Sequence, residues 1–251
     1  MKNLTPDRLR GSFLRCLLLT GQPPSHVAEL LTSLLRLPNV VISSRDHWMP
    51  RGLRNHKETT LLDSEYFLPP DKRHELKHWW LKKPRGANVP NWDIASTCAV
   101  EGRRGLLLVE AKAHDKELSE EGKSRPTSAN SRLNHEKIKT AIDEANRGLN
   151  SVVSGWALSR DSHYQLSNRF AWAWKLATLD VPVVLVYIGF LNAIEMLDRQ
   201  PFDSSEAWNA CLRNHAKNIV PEDAWEKRLE IAGIPVWFLT RSMLLELRIV
   251  D

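Results

Sequence analysis

The run Val181-Pro182-Val183-Val184-Leu185-Val186-Tyr187-Ile188-Gly189-Phe190-Leu191 contains no charged residue and shows no alternation of apolar and polar positions. A run of this length, rich in β-branched residues, predicts a strand buried on both faces, which is the situation of a parallel strand covered by helices above and below. Gly233-Ile234-Pro235-Val236-Trp237-Phe238-Leu239 repeats the pattern and predicts a second buried strand, parallel to the first through a helical crossover. Ser204 is placed to cap a helix in that crossover, running to about Lys217, and a further short helix is expected over Pro221 to Ile231. The fold class that follows is α/β, with a mixed central sheet flanked by helices.

Upstream, the sequence is mainly helical. Thr5-Pro6-Asp7 reads as a helix start, with the helix ending at Gly21. A second helix begins near Pro24, with Val27, Leu30, Leu31, Leu34 and Leu35 as its apolar stripe. Val40-Val41-Ile42 is a short strand, and the polar stretch from Ser43 to Lys57 reads as a loop. Pro69-Pro70-Asp71 opens a helix that carries Glu75, Leu76, Trp79 and Trp80. Downstream of the central region, Asp115 to Asn134 reads as a mobile surface loop or substrate flap. Helices are expected from about Leu133 to Leu149 and from about Ser162 to Leu179.

Between these parts lies a strand pair with ionisable groups at one end. Asp93 begins the first strand, Glu101-Gly102-Arg103-Arg104 makes the turn, and the second strand runs through Leu106-Leu107-Leu108-Val109 to Glu110-Ala111-Lys112. Glu110 and Lys112, two apart, share a face. If Val100 pairs with Gly105, Asp93 faces Lys112; a slip of two residues places it opposite Glu110. Either register puts all three on one side. Charges beside an apolar core are costly unless they pair or hold a metal. Asp93 and Glu110 could share a hard divalent cation, which prefers oxygen ligands, and Lys112 could orient a water or offset charge in a transition state. The plainer reading is a strand-end ion pair of Glu110 with Lys112.

Asp93, followed after residues 94–109 by Glu110-Ala111-Lys112, resembles the PD-(D/E)xK nuclease signature of restriction-endonuclease-like proteins. The resemblance covers roughly Asp71 to Leu191. It implies an αβββαβ core with N- and C-terminal additions, here residues 1–62 and 192–251 around a core of 71–191 in a single domain. It also implies that Asp93, Glu110 and the Ala111 carbonyl bind Mg2+ (or Mn2+), while Lys112 assists the attacking water. Some branches add a Glu on the preceding helix, for which Glu75 is the candidate, and others a Gln on a later helix, for which Gln165 is the candidate. Pro90 stands three positions before Asp93 instead of next to it, and no clear strand separates the Glu75 helix from Asp93 unless Val40-Val41-Ile42 supplies it.

The expected activity is hydrolysis of phosphodiester bonds. The alternative is a nuclease-like fold that binds nucleic acid or protein without cleaving. The net charge of +5 favours a polyanionic partner, and DNA is expected ahead of RNA. Lys82, Lys83, Arg85, Arg103 and Arg104 flank the site in sequence and are the candidate backbone contacts. No Gly-rich phosphate loop and no GxSxG elbow is present. The nine histidines are scattered, so no histidine-based metal site is expected. Three widely spaced cysteines suggest neither a disulfide framework nor a zinc site, and a reducing cytoplasm is the expected location. No apolar run is long enough to span a bilayer. Oligomeric state is left open, a homodimer included.

Overall fold

The computed structural model describes residues 9–196 and 198–246. Two helices lead, α1 (Gly11–Thr20) and α2 (Pro24–Leu35), followed by the short strands β1 (Val40–Val41) and β2 (Trp48–Met49) and helix α3 (Pro70–Trp80). The central hairpin is β3 (Ile94–Val100) and β4 (Arg103–Lys112). Then come α4 (Ala129–Asn150), α5 (Tyr164–Thr178), β5 (Val183–Leu191), α6 (Ser205–Ala216), β6 (Arg228–Ile231) and β7 (Ile234–Leu244). The predicted start of the first helix at Thr5-Pro6-Asp7 lies outside the described residues.

One seven-stranded mixed sheet organises the chain, in the order β1-β3-β4-β5-β7-β6, with β2 also on β3. β4, β5 and β7 run parallel; β3 and β6 are antiparallel to their neighbours. As the uncharged run demanded, β5 is buried on both faces. On one face, Leu107, Val109, Val184, Val186 and Ile188 pack under α1 and α2. On the other, Leu106, Leu108, Val183, Leu185 and Tyr187 pack under α3, α4, α5 and α6. α1 and α2 therefore pack on one face of the sheet, and β7 is an interior strand between β5 and β6. Gly189 shows how tightly the helices approach: a Cβ there would fall 2.3 Å from the Trp208 ring of α6.

Three sequence expectations need correction. The Ser43–Lys57 stretch is not all loop, because Trp48–Met49 pairs with Ser96 and Ala95 and buries the Trp48 ring against the sheet. Val40–Val41 and this strand together edge β3, where a strand between α3 and Asp93 was lacking. The segment Pro221 to Ile231 is not a helix: a single 3-10 turn at Glu222–Ala224 gives way to β6. Its residues Arg228, Leu229, Glu230 and Ile231 alternate exposed and buried, a period of two that only a strand satisfies. Third, α4 starts four residues earlier than Leu133, because Ser128 and Ser131 cap each other reciprocally.

Candidate functional site

The geometry of the site follows from the β3–β4 turn. Glu101 and Gly102 both take positive φ (49° and 77°), as a two-residue type I′ hairpin turn requires. Val100 therefore pairs with Arg103, and Ile94 with Val109. This is the second of the two registers considered; Asp93 itself lies at the bend just before β3, one position past the last pair. Arg103 and Arg104 belong to the strand and not to the turn.

Glu110 and Lys112 sit at the C-terminal end of β4 on the face covered by α5, and they meet that helix. Lys112 Nζ donates to Glu110 Oε1 at 2.6 Å and to Gln165 Oε1 at 3.3 Å. Gln165 Nε2 donates to Glu110 Oε1 at 2.7 Å. Arg169 Nε donates to Glu110 Oε2 at 2.6 Å. Gln165 and Arg169 are four apart on α5 and so share a face. The Arg169 guanidinium also lies 4.7 Å above the Trp92 ring. On the strand edge, the Ala111 N–H donates to Asp93 Oδ2 at 2.7 Å. A strand residue's N–H and C=O point the same way, so the Ala111 carbonyl faces the Asp93 side as well.

The network is almost closed to solvent: Glu110 is 1% exposed, Lys112 5% and Arg169 6%. Burial pushes the Glu110 carboxyl up, but Arg169 and Lys112 outweigh it and hold the group below its ordinary range. Burial likewise pulls Lys112 down, and the charges of Glu110 and Asp93 more than restore it. Asp93 differs. As a residue it is half-buried. Burial and then the Glu110 charge push it up to about 8, against the pull of Lys112 and the Ala111 N–H. Four ionisable groups thus stand together: one firm anion, two cations, and a carboxyl that holds its proton at neutral pH.

The structure sorts the remaining predicted residues. Gln165 joins the group. Glu75 does not: it is exposed on α3 and pairs with Lys175 at 3.1 Å. Arg103 and Arg104 stand seven and six residues from Glu110 along the strand, about 20–23 Å at strand rise. They are held there by Asp180 and by the Tyr66 carbonyl, at the opposite end of β4 from Glu110. Lys82, Lys83 and Arg85 have exposed side chains. Their backbone is fixed by the buried Asn134, whose Oδ1 accepts from Lys82 and Lys83 N–H at 2.9 and 2.8 Å and whose amide donates to the Lys83 and Arg85 carbonyls. Beside this loop, a groove of about 710 Å3 is lined by Arg73, His74, Lys77, Asn88 and Asn91, and so ends two residues from Asp93. Arg169 is the site residue that the sequence reading left out; its spacing of four from Gln165 is the signal that marks it.

Histidine rings, scattered in the sequence, come together in two places. His74 and His78 stand four apart on α3 with ring centroids 4.2 Å apart, a ligating spacing on a helix. No third His, Cys, Asp or Glu joins them among the described residues. Glu120, His163 and His215, by contrast, bring three ligand atoms within 4.8 Å of one another. His215 is held down to about 4 by burial and by the His163 charge; Lys112 adds to that push, which places this group within electrostatic reach of the Glu110 network.

The 115–128 connection is tied at several points. Glu120 and Glu121 carbonyls accept from His163 and Tyr164 N–H at 2.9 Å, and Lys123 N–H donates to the Arg160 carbonyl at 2.8 Å. No helix among the described residues is long and apolar enough to cross a membrane. Compared with protein-family models, with curated proteins and with solved structures, the chain matches none.

Proposed function

We propose that this protein is a metal-dependent nuclease of the restriction-endonuclease-like kind, hydrolysing phosphodiester bonds of DNA. The observation that carries the reading is that the β3–β4 hairpin, whose last pair is Ile94 with Val109, brings the Asp93 carboxylate onto the Ala111 N–H at 2.7 Å, between Glu110 and Lys112 in the strand. The donor set suits Mg2+ or Mn2+: the Asp93 carboxylate, the Glu110 carboxylate and the Ala111 carbonyl are hard oxygen donors at one strand end. Two neighbouring carboxylates, one of them driven to hold a proton by burial and then by the other's charge, are an arrangement a divalent cation relieves. When bound, such an ion supplies Lewis acidity at a phosphoryl oxygen and lowers the pKa of a water.

The chain's own residues do the rest. The Ala111 N–H fixes the Asp93 carboxylate on the strand edge. Lys112 uses two of its three N–H groups on Glu110 and Gln165, which leaves one to orient the attacking water or meet charge on the phosphate. Gln165 and Arg169 lock Glu110 so that its carboxylate cannot swing. The exposed Lys82, Lys83 and Arg85, with Arg73 and Lys77 in the adjoining groove, supply cations for the DNA backbone.

The second reading, a nuclease-like fold that binds without cleaving, draws on one observation. Both Glu110 oxygens already accept from Lys112, Gln165 and Arg169, so the network is charge-paired without an ion. A plasmid-nicking assay with Mg2+ or Mn2+ separates the two. Cleavage that drops at least about a hundredfold in Asp93→Ala and Lys112→Ala supports the enzyme. Salt-sensitive DNA binding with no metal-dependent cleavage supports the binding module, and cleavage unaltered in both variants refutes the site.

A further inference from the structure

We propose that Glu120, His163 and His215 form a separate metal site that takes a zinc-class divalent ion and ties the 115–128 connection to α5 and α6. Each residue comes from a different one of these segments. Glu120 lies in the connection, His163 is the N-cap of α5, and His215 lies in the last turn of α6. Their ligand atoms lie within 4.8 Å of one another. Tetrahedral coordination with bonds of about 2.0–2.1 Å asks for ligand separations of about 3.3 Å. Glu120 is exposed, so its side chain is the ligand with room to move toward the two rings.

The site is prepared in three ways. The His163 N–H donates to the Glu120 carbonyl at 2.9 Å, which fixes two of the three ligating residues relative to each other. His163 adopts the left-handed conformation, φ 45° and ψ 41°, an uncommon one for a residue other than glycine, and this turns its ring toward His215 with centroids 4.8 Å apart. The His163 Nδ1 is shut from solvent and has no hydrogen-bond partner among the described residues. A buried polar atom left unpaired is costly, and a metal bond is one way to satisfy it. Two imidazoles and one carboxylate select zinc, cobalt or another first-row ion over magnesium, and three protein ligands leave a fourth position for water.

The position gives the ion a consequence. His163 is two residues before Gln165 and six before Arg169, the α5 residues that hold Glu110. An ion at His163 would set where α5 begins and so brace that network. The site rests on its own residues and stands or falls apart from the nuclease reading.

The test uses the full-length protein, stripped of metal by a chelator and titrated with Co2+, whose visible absorption reports tetrahedral coordination, and then with Zn2+ as competitor. One equivalent should bind with a dissociation constant of about 10 μM or tighter, and Zn2+ should displace it. His163→Ala and His215→Ala should each weaken binding by more than about a hundredfold, and Glu120→Gln, at the surface, by about tenfold or more. The titration and all three variants are carried in the Asp93→Asn background, so that no ion at the strand-end carboxylates is counted and a failed nuclease assay would not touch this result. Two outcomes would overturn the proposal: no saturable Co2+ or Zn2+ binding at about 100 μM, or binding that survives Glu120→Gln and both histidine variants.

Discussion

Replacing Glu110 by Gln keeps the shape of the side chain and removes its charge. In the native network that charge faces Lys112 at 2.6 Å and Arg169 at 2.6 Å, all three groups being nearly closed to solvent. Asp93 holds its proton at neutral pH, with its pKa at about 8, so the cluster carries two cations and one anion. Glu110→Gln leaves two buried cations with no counter-charge and places an amide N–H where a donor already points. Removing one partner of a buried ion pair costs about 3–5 kcal/mol, which in a chain of this size lowers the melting temperature by about 6–20 °C. Urea unfolding at pH 7 without divalent ions measures it. The pH dependence gives a second check. With the Glu110 charge gone, burial and the more distant Glu58 charge are left to oppose ionisation of Asp93, and two unbalanced cations favour it, so the penalty should shrink as pH rises from 6 to 8. A loss below about 1 kcal/mol, or a penalty that grows with pH, would refute the buried-network argument.

Four further outcomes follow from the same structure. In the metal-free protein the folded state keeps the Asp93 proton that the unfolded chain gives up near pH 4, so stability present at low pH is lost as pH rises toward about 8; Asp93→Asn should flatten that slope in urea midpoints taken at successive pH values. An Mg2+ ion bound at Asp93 should release close to one proton at pH 7, where a group with a pKa of about 8 is about nine-tenths protonated; calorimetry in two buffers of different ionisation enthalpy counts it. Arg103→Ala and Arg104→Ala should change DNA affinity by less than about twofold, while Lys82→Ala, Lys83→Ala and Arg85→Ala should each reduce the salt slope of binding by about one, as read by filter binding over a salt series. Gly189→Ala drives a methyl into the Trp208 ring and should cost about 1–3 kcal/mol in chemical denaturation.

The sequence alone determined the parts of this protein that depend on local pattern. An uncharged, non-alternating run can be stable only with both faces covered, so β5 and β7 were legible as buried parallel strands, and the amphipathic stripe of α2 and the Ser204 cap of α6 were legible for similar reasons. The pairing of Glu110 with Lys112 was legible too, because side chains two apart on a strand share a face. What only the tertiary structure decided depends on contacts between distant segments. The left-handed pair Glu101-Gly102 chose one of two registers that the residue pattern allowed equally. Arg169 became a ligand of Glu110 because α5 crosses the end of β4, and Glu75 was excluded because α3 turns it toward Lys175. Glu120, His163 and His215 lie far apart in the chain and have no spacing that announces them; three segments packed at one corner bring them together. The place of Arg103 and Arg104 shows the converse: closeness in sequence to Glu110 becomes about 20–23 Å along an extended strand.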